Sequence, residues 1–161
     1  MSPDTADHRD APWRLAPHAA TEPDRPAVVT SSGQVVTFAE LEARSCRLAQ
    51  ALFAHGLRPG DHVAAVLPND ERTHEVAFGL QRAGLYYTMV NTHLAPEEAA
   101  YIVADCEAHT LITSSALVPL AEALVALTPA VDLRLVIGDT VPADAALDAH
   151  DRAGPNGADP A

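Results

Sequence analysis

Short apolar runs bounded by glycine or proline alternate along most of this chain with stretches whose apolar residues recur every three or four positions. His62-Val63-Ala64-Ala65-Val66-Leu67 follows the Pro59-Gly60 turn and is closed by Pro68, so it predicts a strand buried on both faces. Leu85 to Val90 after Gly84, Thr110 to Thr113, and Leu133 to Ile137 are the further expected strands. Helix signals lie between them. One covers about Asp70 to Ala83, and a second opens at Pro96 with Glu97 and Glu98 at its positive end. A third, capped by Ser114 or Ser115, runs to about Leu127 and tolerates Pro119 only in its first turn. Strands joined by single helices pair in parallel through right-handed crossovers. The expected fold class is therefore α/β, an open and mainly parallel sheet with helices packed on its faces.

Upstream of this body, Ala27 to Thr30 and Gln34 to Val36 flank Ser31-Ser32-Gly33, which predicts a small β-hairpin on a glycine-containing turn. Thr37 and Glu40 have capping-box spacing, and Phe38, Leu41, Ser45, Leu48 and Leu52 then form one helical face that Gly56 terminates. Residues 1–23 hold Pro3, Pro12, Pro17 and Pro23 among acids and alanines, with Trp13 and Leu15 as packing anchors, and are expected to be a flexible arm. The ordered body is expected over 24–139. Residues 140–161, rich in Asp, Ala and Pro, are expected to be a disordered tail or a frayed helix at Ala143 to Leu147.

Composition excludes several function classes. No apolar run approaches the ~20 residues needed to cross a bilayer, and the acidic N-terminus fits neither a secretory signal nor a transit peptide, so a cytoplasmic location is expected by default. A net charge of −12 argues against a nucleic-acid partner, because phosphate backbones reward clustered cations. All basic residues are arginines (9, 14, 25, 44, 47, 58, 72, 82, 134 and 152), and lysine is absent. Cys46 and Cys106 have no metal or redox spacing and are expected to be reduced, partly buried packing residues.

In open α/β sheets ligands gather beyond the carboxyl ends of the strands, here the loops Pro68-Asn69-Asp70, Asn91-Thr92-His93-Leu94 and Ser114-Ser115. A phosphate site wants glycine, a helix N-terminus free of acid, and a cation. Asp70-Glu71 and Glu97-Glu98 place acid where the phosphate would sit, and the Ser114 loop lacks both glycine and cation. The histidines at 8, 18, 55, 62, 74, 93, 109 and 150 are scattered singly, and only His93 stands at the ligand edge. No metal-ligating set is expected.

The stretch Ala83-Gly84-Leu85-Tyr86-Tyr87-Thr88-Met89-Val90-Asn91-Thr92-His93-Leu94 through Pro96, Glu97, Tyr101-Ile102 and Asp105 resembles the AMP-forming acyl-CoA synthetases. Gly60-Asp61-His62-Val63-Ala64 and Val36-Thr37-Phe38-Ala39-Glu40-Leu41 match the same family upstream, in order, from about Asp24 to Asp139. Thr88-Met89-Val90-Asn91 resembles the acyl-CoA branch more than the peptide-synthetase adenylation domains. The resemblance implies the N-terminal subdomain of an enzyme that activates a carboxylic or fatty acid through acyl-AMP and transfers it to coenzyme A. It implies ATP, Mg2+ and coenzyme A for the full-length family, bound by a lysine-bearing phosphate loop, a magnesium acid, a ribose Asp and a mobile C-terminal lysine. None of these can be placed on this sequence.

By residue matching, His93 takes the position of an arginine in an Asn-Pro-Arg-Leu segment, which implies a coenzyme A contact; the bland alternative is a loop residue. Asn91 is expected to be a turn former, and Tyr101, Ile102 and Asp105 to serve packing and helix-end chemistry. The expectation is a ligase fragment inactive alone, no cofactor of its own, and as partner either the C-terminal part of a ligase or a second copy. Its rivals are a free-standing binding or scaffold module and half of a split ligase.

Overall fold

The computed structural model describes residues 14–138. Strands β1 (Pro26–Val29) and β2 (Val35–Thr37) form an antiparallel hairpin. Gly33 closes its turn, at φ 85°, by donating its N–H to Thr30 O at 3.0 Å. The chain passes directly into helix α2 (Phe38–Ala54), preceded in sequence by α1 (Leu15–Thr21). Thr37 Oγ1 accepts the Glu40 N–H at 3.2 Å while Glu40 Oε2 accepts the Thr37 N–H at 2.9 Å, so two otherwise unpartnered donors satisfy each other's residue. The Thr37 backbone bond holds the Glu40 carboxyl below its ordinary pKa. At the far end Gly56, at φ 95°, lets the Leu57 N–H return to Leu52 O at 3.1 Å.

The main sheet contains β3 (His62–Val66), β4 (Tyr86–Met89), β5 (Thr110–Ser114) and β6 (Leu133–Ile137), all parallel in the order β4-β3-β5-β6. Helix α3 (Glu71–Arg82) joins β3 to β4, and α4 (Pro96–Asp105) joins β4 to β5. A 3-10 turn (Ser115–Leu117) and α5 (Val118–Leu127) then lead to β6, with Pro119 in the first turn of α5. Val63, Ala65 and Ile112 pack against Leu52 of α2 and Val76 and Leu80 of α3. On the opposite face Ala64, Val66 and Leu111 pack against Val103 of α4 and Leu124 of α5. That two-sided burial is the reason β3 reads as a continuous apolar run.

Arg134 on β6 secures the end of α5. Its guanidinium donates to Thr128 O at 2.7 Å, to Thr128 Oγ1 at 3.0 Å and to Val131 O, and burial pushes its pKa down. The α4 helix ends on Glu107, a non-glycine residue at φ 53°.

The structure departs from the sequence reading at two places. The stretch expected as a flexible arm is helical over Leu15–Thr21, because Leu15 is drawn into a small core with Val36 and Leu41. Tyr101, expected to pack, is 70% exposed. The strand expected over Leu85 to Val90 is present as β4, and because β4 lies at the sheet edge Tyr86, Tyr87 and Met89 are exposed between buried Leu85 and Val90. Residues 140–161, including the frayed helix expected at Ala143 to Leu147, lie outside the described residues.

Candidate functional site

The order β4-β3-β5-β6 fixes where a ligand would be sought. From β3 the chain moves outward to β4 over one face, and from β5 it moves the other way to β6 over the opposite face, so the winding reverses between β3 and β5. The carboxyl ends of those two strands flank the crevice at which doubly wound sheets bind ligands.

The groups lining this edge are engaged in ending strands and starting helices. Asp70 Oδ1 accepts the N–H groups of Arg72 at 3.0 Å and Thr73 at 3.3 Å, and Thr73 Oγ1 donates to Pro68 O at 2.6 Å. The positive end of α3 is thereby filled by the chain's own carboxylate. Glu98 Oε2 accepts the Ala95 N–H at 2.9 Å at the start of α4. Ser114 Oγ accepts the Ala116 N–H at 3.2 Å after β5. Gly138, just past β6, runs so close to Ser115 that a Cβ there would stand 2.1 Å from Ser115 Oγ.

His93 sits in the loop after β4, exposed, its N–H donated to Asn91 Oδ1 at 2.9 Å. Asn91 is thus the turn former, bonding the backbone two residues ahead. Two cavities lie at the opposite, amino-terminal end of the strands, and neither is lined by His93, Asp70 or the Ser114 turn. One of about 350 Å³ is lined by His62, Tyr86, Thr88 and Cys106, and one of about 720 Å³ by Asp61, His62, Glu107, His109 and Thr110. The histidines there contact the backbone: His62 Nδ1 meets Cys106 O at 2.8 Å and His109 Nδ1 meets Ala130 O at 3.2 Å. Neither contact could be read from the sequence, since each joins a strand start to a distant helix end.

Among the described residues no three His, Cys, Asp or Glu side chains gather closely enough to hold a metal ion. Cys46 and Cys106 are free and half-buried, and burial pushes the Cys46 thiol above its ordinary pKa, away from the nucleophilic thiolate. The described strand-end loops therefore do not fit a nucleotide triphosphate or its magnesium: after β3 and β4 they offer capping carboxylates where glycine N–H groups and a lysine would be needed.

Fold and edge together define a doubly wound α/β unit whose described strand-end carboxylates cap the chain's own helices. Comparison with known proteins names the family. The AMP-binding enzyme family model matches residues 15–160, and the chain belongs to that family. It is 35% identical over 112 residues to the fatty acid–[acyl-carrier-protein] ligase ScoC of Streptomyces coeruleorubidus, covering 70% of this chain and 21% of that protein. It is 30% identical over 113 residues to the long-chain-fatty-acid–CoA ligase FadD13 of Mycobacterium tuberculosis, covering 70% and 22%. A solved fatty acyl CoA synthetase of the same organism superimposes with a TM-score of 0.70 at 27% identity, covering 78% of this chain and 26% of that one. The chain thus spans about a fifth of the length of these curated relatives, and its fold is that of their N-terminal subdomain.

Proposed function

We propose that this chain is the N-terminal subdomain of an AMP-forming ligase for fatty or related carboxylic acids and that it makes no acyl adenylate by itself. The observation that carries this reading is the state of the helix starts beyond β3 and β4. Asp70 and Glu98 bond the backbone at the helix starts, where an approaching phosphate would meet like charge, and the lysine-free chain has no ammonium to set against it. The relatives' activities support a fatty acid as substrate and either coenzyme A or a carrier protein as the acceptor thiol.

In the whole ligase ATP and Mg2+ would be held by polypeptide other than residues 24–139, which would also supply most of the coenzyme A site. This subdomain would give that polypeptide a rigid sheet to pack on. A coenzyme A contact through His93 and a cytoplasmic location belong to the same reading. Exposure of the imidazole on the loop after β4 is compatible with such a contact, and no described helix is long and apolar enough to cross a membrane.

The test is ATP–pyrophosphate exchange by the purified 161-residue chain with a panel of fatty and aromatic acids. Exchange at the no-enzyme background is expected. Clear exchange that survives repurification overturns the reading.

A further inference from the structure

We propose that the β4 edge of the sheet pairs with the β4 edge of a second copy of this chain, antiparallel about a two-fold axis through Thr88. The ladder shows which groups are available. Tyr86 donates its N–H to Asp61 O at 3.0 Å and Val90 donates to Ala65 O at 2.8 Å, both on β3 or its immediate lead-in. Backbone groups alternate sides along a strand, so Tyr86, Thr88 and Val90 face β3 while the N–H and C=O groups of Tyr87 and Met89 face outward.

Free edges in soluble proteins are usually guarded by charge, proline or a bulge. Among the described residues this one is not: from Ala83 to Ala95 the sequence has no Asp, Glu, Lys, Arg or Pro. Tyr86, Tyr87 and Met89 are 67%, 38% and 41% exposed.

The edge is also self-complementary. With Thr88 on the axis, Tyr87 of one copy lies opposite Met89 of the other, and each such pair exchanges both of its backbone hydrogen bonds. Directly opposed residues share a face, so the pairing sets the Met89 sulfur beside the Tyr87 ring and Thr88 beside its own copy on the other face. The neutral edge brings no like charges into contact, and the −12 of the whole chain opposes association only at longer range. A four-residue strand covers less than the ~800 Å² per partner of a standard interface. The dimer is therefore weak, with a dissociation constant between about 1 µM and 1 mM, and salt strengthens it.

Sedimentation equilibrium of the full chain over micromolar to millimolar concentration tests this. Reversible dimerisation is expected, strengthened by salt. Met89→Pro removes an outward N–H without touching the bonds to β3, and Met89→Lys adds the missing guard charge; each is expected to weaken the dimer at least tenfold. Should both variants lose their circular-dichroism signature of folding, amide exchange of the unaltered chain decides. Slowing at Tyr87 and Met89 as concentration rises supports the pairing, and no slowing overturns it. A chain that stays monomeric throughout, or a dimer indifferent to both variants, overturns it as well. None of these outcomes bears on the exchange assay, so the two proposals fail separately.

Discussion

Gly79 offers a sharp test of how α2 and α3 are packed. It is buried on α3, and a methyl group added there would stand 2.7 Å from Leu48 Cδ2, 3.0 Å from Cγ and 3.1 Å from Cβ. Cδ2 and Cγ can move away only by changing the rotamer of a leucine packed against the core, so the side chain must shift or the helices must separate by a few tenths of an ångström. Overpacking of this kind costs about 1–3 kcal/mol. Against it stands the gain from replacing a helical glycine, about 1 kcal/mol. The net expectation for Gly79→Ala is a loss of about 1 kcal/mol, read as a lower urea midpoint at unchanged slope. Leu48→Ala removes Cγ and both Cδ atoms and leaves only the 3.1 Å contact. In that background Gly79→Ala should become stabilising, because the helix term survives and most of the clash does not. A double-mutant cycle therefore shows a change of sign. Additive effects, or a Gly79→Ala chain more stable than the parent, would refute the packing argument.

Other outcomes follow from the same structure. Glu40 has a lowered folded pKa, so its contribution is present above the unfolded value and lost as pH falls through the folded one; Glu40→Gln, which keeps a capping acceptor but no charge, should flatten that acid limb in chemical denaturation by lowering stability slightly at neutral pH and not in acid. Glu107 holds a left-handed backbone at the end of α4, and Glu107→Gly should raise stability by about 1 kcal/mol, visible as a higher melting temperature. The absence of pyrophosphate exchange and the loss of β4 pairing in Met89→Pro complete the set.

Local features of this fold were legible because a few neighbouring residues determine them. The Thr37 and Glu40 capping box, the Gly56 stop, Pro119 in the first turn of α5 and the Asn91 turn all depend on atoms within a few positions in the chain. The helix at Leu15–Thr21 was not legible. It lacks a capping side chain at Arg14, carries Pro17 in its first turn and buries a single leucine, so its stability comes from Val36 and Leu41, far along the sequence. Nor did the run Leu85 to Val90 announce an edge, since edge or centre is settled by what packs beside a strand. At the crevice the acidic caps Asp70 and Glu98 could be anticipated from helix-start chemistry. The crowding of Ser115 by Gly138 could not, because it joins the exits of two adjacent strands.

The hairpin of β1 and β2 is not an extension of the large sheet. Its small core of Leu15, Val36 and Leu41 leans on α2 and on Phe78 of α3, while the same α2 helix buries Leu52 against the large sheet three turns later. Such an outrigger can detach and re-seat while the main hull stays closed. Its amides are then the first to surrender their protons to solvent, long before β3 and β5 come apart.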